Sequence, residues 1–217
     1  MTLPIDVFFS FRSPYSYLAA PRMVALEQEW DLKFFVRTVY PIAVRLDGWF
    51  KKNDPMWVSY FIRDVIREAQ RHDTPFMWPR PDPIVMNMQT GDVPKDQPYI
   101  HRLTRLGAAA AERGQGLPFA TEISTLIFSG RTQNWHEGTH LAQATSRAGL
   151  DLAELDKAIE KDPDHYEAII KENEEAHRKA GHWGVPTFAF QGEPFFGQDR
   201  LDALLWRLKQ HGLKKRP

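Results

Sequence analysis

The feature that most constrains this fold is a strand pattern near the N-terminus that leads directly into a helix start. Ile5–Phe11 is rich in β-forming residues, which is typical of a buried strand. Ser13 and Pro14 follow it; Ser is a preferred N-cap, and Pro is favoured at the first helical position. After the helix, Leu32–Val39 repeats the strand pattern. A strand, a helix and a strand in this order predict a βαβ unit with a right-handed crossover.

Strand patterns return near the C-terminus. Val185–Gln191 predicts one strand, Gly192 a turn, and Pro194–Phe196 the start of a second strand. We expect Asp199 to cap a last amphipathic helix that ends at Gly212. Helical periodicity dominates between the two ends of the chain. It predicts helices over Met56–Val65, Tyr99–Arg113 and Pro118–Phe128, a short one after Asp151, and a long one from Pro163 to about Ala180.

This order of elements predicts the fold class. We expect an α/β protein with a thioredoxin-like βαβ…ββα core that is split by an all-helical insertion domain. The physical reason is that both ends supply strands to one sheet, while the insertion buries its own apolar faces. The predicted thioredoxin-like domain comprises residues 1–45 and 181–217, and the predicted helical insertion comprises residues 46–180.

The amino-acid composition of the 217 residues excludes several kinds of site and partner. The sequence contains no Cys, which excludes disulfides, thiolate metal sites, iron–sulfur clusters and a catalytic cysteine. Any thiol chemistry therefore needs a thiol from a ligand. Lys and Arg total 28, as do Asp and Glu, so the chain lacks the net charge that is typical of binding to nucleic acid or an anionic membrane. With neither a targeting pattern nor an apolar run of about 20 residues, we expect a soluble cytoplasmic protein.

Ser13 is the first candidate for a functional residue. It stands between a predicted strand and a helix N-terminus, where free backbone N–H groups and the helix dipole favour an anion. A hydroxyl at this point can donate a hydrogen bond to a thiolate and lower the pKa of the thiol. The simpler interpretation is that Ser13 only caps the helix.

Two further segments lie at predicted strand or helix starts. Pro186 precedes a strand, and a cis peptide bond there would expose the backbone N–H and C=O of Val185 for pairing with a bound peptide. The alternative is a trans proline in an ordinary loop. Asp199 stands at the start of the last helix, where its carboxylate can cap the helix or receive a ligand ammonium group.

Three segments together carry a resemblance to a known family. They are Ser13–Ala19 (SPYSYLA), Gly184–Phe188 (GVPTF) and Pro194–Leu201 (PFFGQDRL). This combination resembles the 2-hydroxychromene-2-carboxylate isomerases and the related kappa-class glutathione transferases, over nearly the whole chain. Ser13 and Ser16 stand where thioredoxins carry their two cysteines, which excludes dithiol redox chemistry.

The resemblance implies a glutathione site and a set of roles. Ser13 would stabilise the glutathione thiolate as the catalytic residue, and the backbone of Val185 and Pro186 would hold the cysteinyl part. The remaining predicted cofactor-binding residues are Gln198 and Asp199 for the γ-glutamyl end, Asn53 facing the cleft, and Trp183 in the ligand loop.

The chain departs from the family pattern at three places. A Lys that commonly follows the Asn53 position has no evident counterpart. His182 and Trp183 replace smaller apolar residues, and Tyr40 stands where a basic residue is usual. These departures affect the expected substrate more than the expected glutathione site.

One rival motif points to a different class of enzyme. His136, Glu137 and His140 satisfy the H-E-x-x-H pattern of zinc hydrolases, in which two His on one helix face bind the metal and the Glu acts as base. Gly138 and Thr139 are poor helix formers, so we expect a solvated loop-to-helix junction and no metal site.

The leading prediction from the sequence is a glutathione-dependent isomerase that opens and isomerises a small aromatic-derived carboxylate in the degradation of aromatic compounds. The alternatives are a kappa-like glutathione transferase, a non-catalytic thioredoxin-like module that binds peptides, and the zinc hydrolase. The resemblance also implies a homodimer, with which the apolar face of the Met56–Val65 helix is compatible.

Overall fold

The computed structural model describes residues 2–87 and 89–216, so Met1 and Pro217, the outer ends of the predicted thioredoxin-like domain, lie outside the described residues. A four-stranded sheet has the order β2-β1-β3-β4. Its strands are β1 (Leu3–Phe9), β2 (Leu32–Thr38), β3 (Thr187–Phe190) and β4 (Glu193–Phe196). β1 and β2 are parallel, and β3 is antiparallel to both β1 and β4. Both ends of the chain therefore share one sheet, as predicted.

The helices of the described residues follow the predicted order, with additional short ones. They are α1 (Pro14–Glu29), α2 (Ile42–Arg45), α3 (Trp49–Lys52), α4 (Pro55–Arg71), α5 (Ile100–Glu112), α6 (Gly116–Phe128), α7 (His140–Arg147), α8 (Leu152–Lys161), α9 (Pro163–Lys179) and α10 (Leu201–Gln210). The sequence had not indicated α2 or α3, and it had indicated only the start of α7, at the loop-to-helix junction of the His136–His140 segment. Each of these has eight residues or fewer, too few for a clear helical period. No helix of the described residues is long and apolar enough to cross a membrane.

Close packing joins α5 to the end of the sheet. The space beside Gly107 is so tight that an added Cβ would lie 2.5 Å from Thr38 Cγ2 and 2.7 Å from Phe11 Cε2. One contiguous apolar cluster includes β1, α1, α5 and α6. The α/β thioredoxin-like fold is confirmed, whereas its division into residues 1–45 with 181–217 and residues 46–180 stays a prediction.

The prediction that Asp199 caps the last helix is wrong. A short 3-10 turn over Gln198–Arg200 precedes α10, so the N-cap position falls on Arg200, which makes no side-chain cap hydrogen bond. The Asp199 carboxylate is half exposed and lies 3.7 Å from the Arg200 guanidinium.

The H-E-x-x-H segment does not form the helical turn that a zinc site of this type needs. α7 begins at His140, and residues 136–139 form turns before it. His136 packs edge-on against Tyr99 and Trp135. Over the described ranges, no three His, Asp or Glu side chains are grouped so as to hold a metal ion. The expected loop-to-helix junction at His140 is confirmed.

Candidate functional site

Ser13 lies at the N-terminus of α1, where it serves as the N-cap. Its Oγ accepts a hydrogen bond of 3.1 Å from the backbone N–H of Ser16. The same hydroxyl donates a 3.2 Å hydrogen bond to the backbone carbonyl of Val185. Ser13 is thus a cap and also the link between α1 and the loop that precedes β3, and its single proton points toward that loop.

The Ser16 side chain, at the position of the second thioredoxin cysteine, is fully buried. Its Oγ finds no hydrogen-bond partner among the residues that the structure describes. The two serines therefore occupy different environments, and only the Ser13 hydroxyl is partly accessible. This difference favours Ser13 as the residue that meets a ligand.

The peptide bond between Val185 and Pro186 is cis, as predicted. The Pro186 carbonyl accepts a 2.9 Å hydrogen bond from the backbone N–H of Gly197, which ties this loop to the start of the Gln198–Arg200 turn. Val185 is partly exposed and Pro186 is buried. The Ser13 hydroxyl, the Val185 carbonyl and Pro186 therefore lie together at one end of the sheet.

A buried histidine also contacts the loop that carries Val185. His177 on α9 is fully buried and stacks on Phe8 of β1, with ring centroids 4.5 Å apart. Its Nε2 lies 2.9 Å from the Gly184 carbonyl, and the Thr187 hydroxyl donates to the same oxygen at 2.6 Å. Burial lowers the pKa of His177 to about 4, so near neutral pH the ring is uncharged and donates through Nε2.

Sequence reasoning missed His177. The signal that could have found it is the spacing of Tyr166, Ile170, Asn173 and His177, which are the buried residues of α9 and fall on one helical stripe. The identity of its partner, a carbonyl on a distant loop, has no counterpart in the local pattern.

Trp183 is fixed through its backbone by a buried cation. The guanidinium of Arg45 donates to the Trp183 carbonyl at 3.0 Å and to the Tyr40 carbonyl at 2.8 Å. The Arg45 side chain is only 6% exposed, and Glu174 lies 3.9 Å away. Burial lowers the pKa of Arg45 and raises that of Glu174. The Trp183 indole itself is 49% exposed.

Gln198 is almost fully buried, and its side-chain amide is already used by the protein. Its Oε1 accepts a 2.7 Å hydrogen bond from Arg22 on α1, and its Nε2 donates to Glu68 on α4 at 2.5 Å. The backbone carbonyl of Gln198 also accepts from Arg22, at 2.7 Å. Arg22 and Glu68 therefore lie beside Gln198, next to the exposed Asp199 carboxylate, a set of charges that sequence reasoning did not assemble.

Asn53 follows α3 and is its C-cap. Its side-chain amide donates a 2.7 Å hydrogen bond to the Trp49 carbonyl one turn earlier. This bond uses one of the two amide hydrogens, and the residue is partly exposed. The structure joins Ser13 directly to Val185, whereas hydrogen bonds join Asn53 to α3 and Gln198 to α1 and α4. The roles of all these residues in ligand binding stay predictions.

The two best-formed concavities of the described residues lie away from Ser13. A concavity of about 600 Å³ lies between β1, β3 and the end of α9, and another of about 560 Å³ lies beside α5. Neither is lined by Ser13 or Pro186.

Comparison with known families identifies the family of the chain. Residues 4–209 match the DSBA-like thioredoxin domain. The chain belongs to this DSBA-like family. A search of the curated proteins found no matching sequence.

Several solved structures are similar to this DSBA-like chain over almost its whole length. A 2-hydroxychromene-2-carboxylate isomerase has a TM-score of 0.68 and 19% identity, covering 96% of this chain and 95% of its own. A probable DsbA oxidoreductase from Streptomyces coelicolor has a TM-score of 0.62 and 17% identity, covering 96% and 89%. The cytosolic disulfide reductase DsbM from Pseudomonas aeruginosa, in a structure with GSH, has a TM-score of 0.57 and 18% identity, covering 96% and 100%. At these identities the likeness establishes the fold.

Proposed function

We propose that this chain is a glutathione-dependent isomerase that acts on a small aromatic-derived carboxylate. The observation that carries the proposal is the Ser13 hydroxyl, which lies at the N-terminus of α1 and is hydrogen-bonded to the Val185 carbonyl. This position has a hydroxyl and the N-terminal end of a helix dipole, both of which stabilise a thiolate. The likeness to a 2-hydroxychromene-2-carboxylate isomerase and to a disulfide reductase whose structure was solved with GSH supports it.

The hydrogen bond between Ser13 and Val185 gives the site a way to respond to the ligand. Bound glutathione would supply a thiolate that can serve as nucleophile toward a conjugated carbon of the substrate and afterwards as leaving group. A peptide N–H that pairs with the Val185 carbonyl replaces the Ser13 hydroxyl at that oxygen, which accepts the same 3.2 Å bond in the free protein. The Ser13 proton is then free to turn toward the sulfur, while Oγ still accepts from Ser16 N–H.

The residues present fit a tripeptide better at its centre than at its γ-glutamyl end. The backbone of Val185 suits the cysteinyl part, because the loop that carries it is held by His177 and Thr187. At the γ-glutamyl end, the Gln198 amide is occupied, so Asp199 is the exposed group that remains to receive an ammonium. Trp183 and Asn53 would border the ligand on the other side.

Location and assembly complete the proposal. A cytoplasmic location suits the function, because glutathione keeps thiols reduced there. A homodimer stays part of the proposal, and α4 offers an exposed apolar face for it at Val58, Ile62 and Ile66.

The test measures retention on immobilised glutathione, calorimetric binding of glutathione and conversion of 2-hydroxychromene-2-carboxylate followed by absorbance. The expected result is retention, and conversion that needs glutathione but leaves its concentration unchanged. Consumption of glutathione into a conjugate would instead support the kappa-like transferase. Retention without any turnover would support a binding module, and absence of retention would contradict the proposal altogether.

A further inference from the structure

Arg12 and Tyr15 lie on either side of Ser13 in the sequence, and they contact aromatic residues of α3 and α4. The Arg12 guanidinium carbon lies 5.3 Å from the ring centroid of Phe50 on α3. The Tyr15 ring packs edge-on against Phe61 of α4, with centroids 5.6 Å apart. The turn that carries Ser13 is therefore framed by aromatic residues of α3 on one side and of α4 on the other.

Aromatic contacts connect these two helices to the ligand loop. Trp49 of α3 lies edge-on to Trp183, with ring centroids 5.2 Å apart, and edge-on to Trp57 of α4, at 6.4 Å. Trp57 in turn stacks on Phe61 at 5.3 Å with an interplanar angle of 10°. We call Trp49, Trp57 and Trp183 the indole shelf. The shelf runs from Trp183, two residues before Val185, to Trp57, which stacks on the Phe61 ring that contacts Tyr15.

The shelf is open to solvent. Trp57 is 44% exposed and Trp183 is 49% exposed, whereas Trp side chains are highly buried on average. Contiguous exposed rings with a polar rim mark binding surfaces. Flat indole faces and edges suit a planar aromatic ring, which can stack or pack edge-on against them.

Arg12 offers a cation near the shelf, because its guanidinium lies over Phe50, the residue that follows Trp49. Its Nε and Nη2 donate to the two carboxylate oxygens of Asp82 at 2.8 and 2.9 Å. Asp82 is itself anchored by the backbone N–H of Ile84 at 3.0 Å. Nη1 of Arg12 has no hydrogen-bond partner among the described residues, and the Arg12 side chain is 23% exposed. The guanidinium is thus held in a fixed plane with one nitrogen left to donate to an incoming carboxylate oxygen.

We propose that the indole shelf binds the planar ring of the substrate and that Arg12 selects rings carrying a carboxylate. This inference rests on the proposed function, since it assigns the substrate side of the same site. It makes Arg12 a specificity-determining residue, and it gives Asp82 the role of holding Arg12 in position. Asn at this position could still accept a hydrogen bond from Arg12 but would no longer repel a second anion, so Asp82→Asn should not weaken binding of an anionic ring.

The test uses two planar probes that differ in charge, 2-naphthoate and 2-naphthalenemethanol. Calorimetry measures their affinities for the full chain without glutathione, so that the outcome does not depend on the glutathione site. A hydrogen bond to a charged group predicts that 2-naphthoate binds about tenfold more tightly than the alcohol. Arg12→Met should remove this preference and leave the affinity for the alcohol unchanged.

The Asp82→Asn variant distinguishes selection of carboxylates by Arg12 from a merely structural role of the Arg12–Asp82 ion pair. If Arg12 only holds the loop, Asp82→Asn should weaken both probes as Arg12→Met does, and the proposal is overturned. If Arg12 selects carboxylates, Asp82→Asn should keep or increase the preference for 2-naphthoate. Arg102→Met is the matched control, because Arg102 makes a similar two-pronged pair with Asp156 at 2.8 and 2.6 Å and should change neither affinity.

The shelf has its own control. Trp57→Leu and Trp183→Leu should each weaken both probes about fivefold, as expected for the loss of one aromatic partner. Trp206→Leu should have no effect, although Trp206 is 56% exposed and also has a guanidinium, that of Arg207, 4.7 Å from its ring. Equal affinities of the two probes for the unmodified chain, or equal losses in all three Trp variants, would refute the inference. Probe binding by a chain that glutathione columns do not retain would instead contradict the proposed function alone.

Discussion

Replacing Ser13 with Ala removes one hydroxyl that makes two hydrogen bonds, and their effects can be measured separately. The bond accepted from Ser16 N–H caps α1, and the bond donated to the Val185 carbonyl is the one that we expect to shift to a bound thiolate. A hydrogen bond to a charged group contributes about 1.5 to 3 kcal/mol. Since one pKa unit corresponds to about 1.36 kcal/mol, the variant should raise the pKa of bound glutathione by about one to two units.

The Ser13→Ala variant should still lower the pKa of bound glutathione in part. The N-terminus of α1 stays in place, so its dipole still lowers the thiol pKa below the value in solution. Glutathione affinity should be largely kept, because the Val185 backbone is unchanged. Turnover near neutral pH should fall, since less of the bound thiol is ionised.

The assay is the absorbance of the bound thiolate, titrated against pH for the unmodified chain, Ser13→Ala and Ser13→Thr. The Thr variant keeps a hydroxyl and should titrate like the unmodified chain. Asp151→Ala is the control for stability, because the Asp151 carboxylate caps α8 by accepting from Ala153 and Glu154 N–H. Losing either cap should cost about 1 kcal/mol, but only Ser13→Ala should shift the titration. Identical curves for Ser13→Ala and the unmodified chain would show that Ser13 is a cap alone.

Three further predictions concern stability and the rival motif. The pKa of His177 is lowered from 6.5 to about 4, so the unfolded chain takes up the proton at a higher pH than the folded chain does. As the pH falls from about 6.5 to about 4, protonation of the unfolded His177 should therefore reduce the free energy of unfolding by at most about 3 kcal/mol. Urea unfolding at pH about 7 and about 4.5 should show this loss in the unmodified chain and much less of it in His177→Gln, and an equal pH dependence of the two would contradict it. Gly107→Ala places a methyl group 2.5 Å from Thr38 Cγ2 and should destabilise the fold by about 1 to 3 kcal/mol in urea unfolding; an unchanged midpoint would show that the helix can shift. Elemental analysis should find no stoichiometric zinc, and His136→Ala should leave activity unchanged; one zinc per chain that is lost in this variant would restore the hydrolase hypothesis.

Local patterns predicted those parts of the fold that depend on neighbours in sequence. The cap at Ser13 and the helix start at Pro14 follow from preferences of one or two residues, whereas the cis bond before Pro186 is expected from the family resemblance and not from local preference. Asp199 shows the limit of this reasoning. Its residue type suits an N-cap, but the 3-10 turn over Gln198–Arg200 moves the start of α10 to Leu201, and nothing in the short pattern distinguishes the two starts.

Contacts between distant segments could not be predicted in the same way. The resemblance placed Gln198 at the ligand, yet its amide is held by Arg22 of α1 and Glu68 of α4. Arg45 reaches the Trp183 carbonyl across more than half of the chain. Such pairs depend on how the insertion is placed against the sheet, and a single sequence contains no periodic signal for that placement.

The absence of cysteine changes what the DSBA-like scaffold of this chain can do. Dithiol exchange needs two protein thiols that are oxidised together, and neither Ser13 nor Ser16 can provide one. The scaffold nevertheless keeps a helix N-terminus, a hydroxyl and the Val185 carbonyl within hydrogen-bond distance of one another. These groups act on charge and orientation, not on electrons, so under the proposed function they would stabilise an anionic sulfur that a ligand brings. Because Arg12 and Tyr15 extend from the same turn to α3 and α4, the proposal assigns contact with the substrate to this turn and to the helices that follow β2.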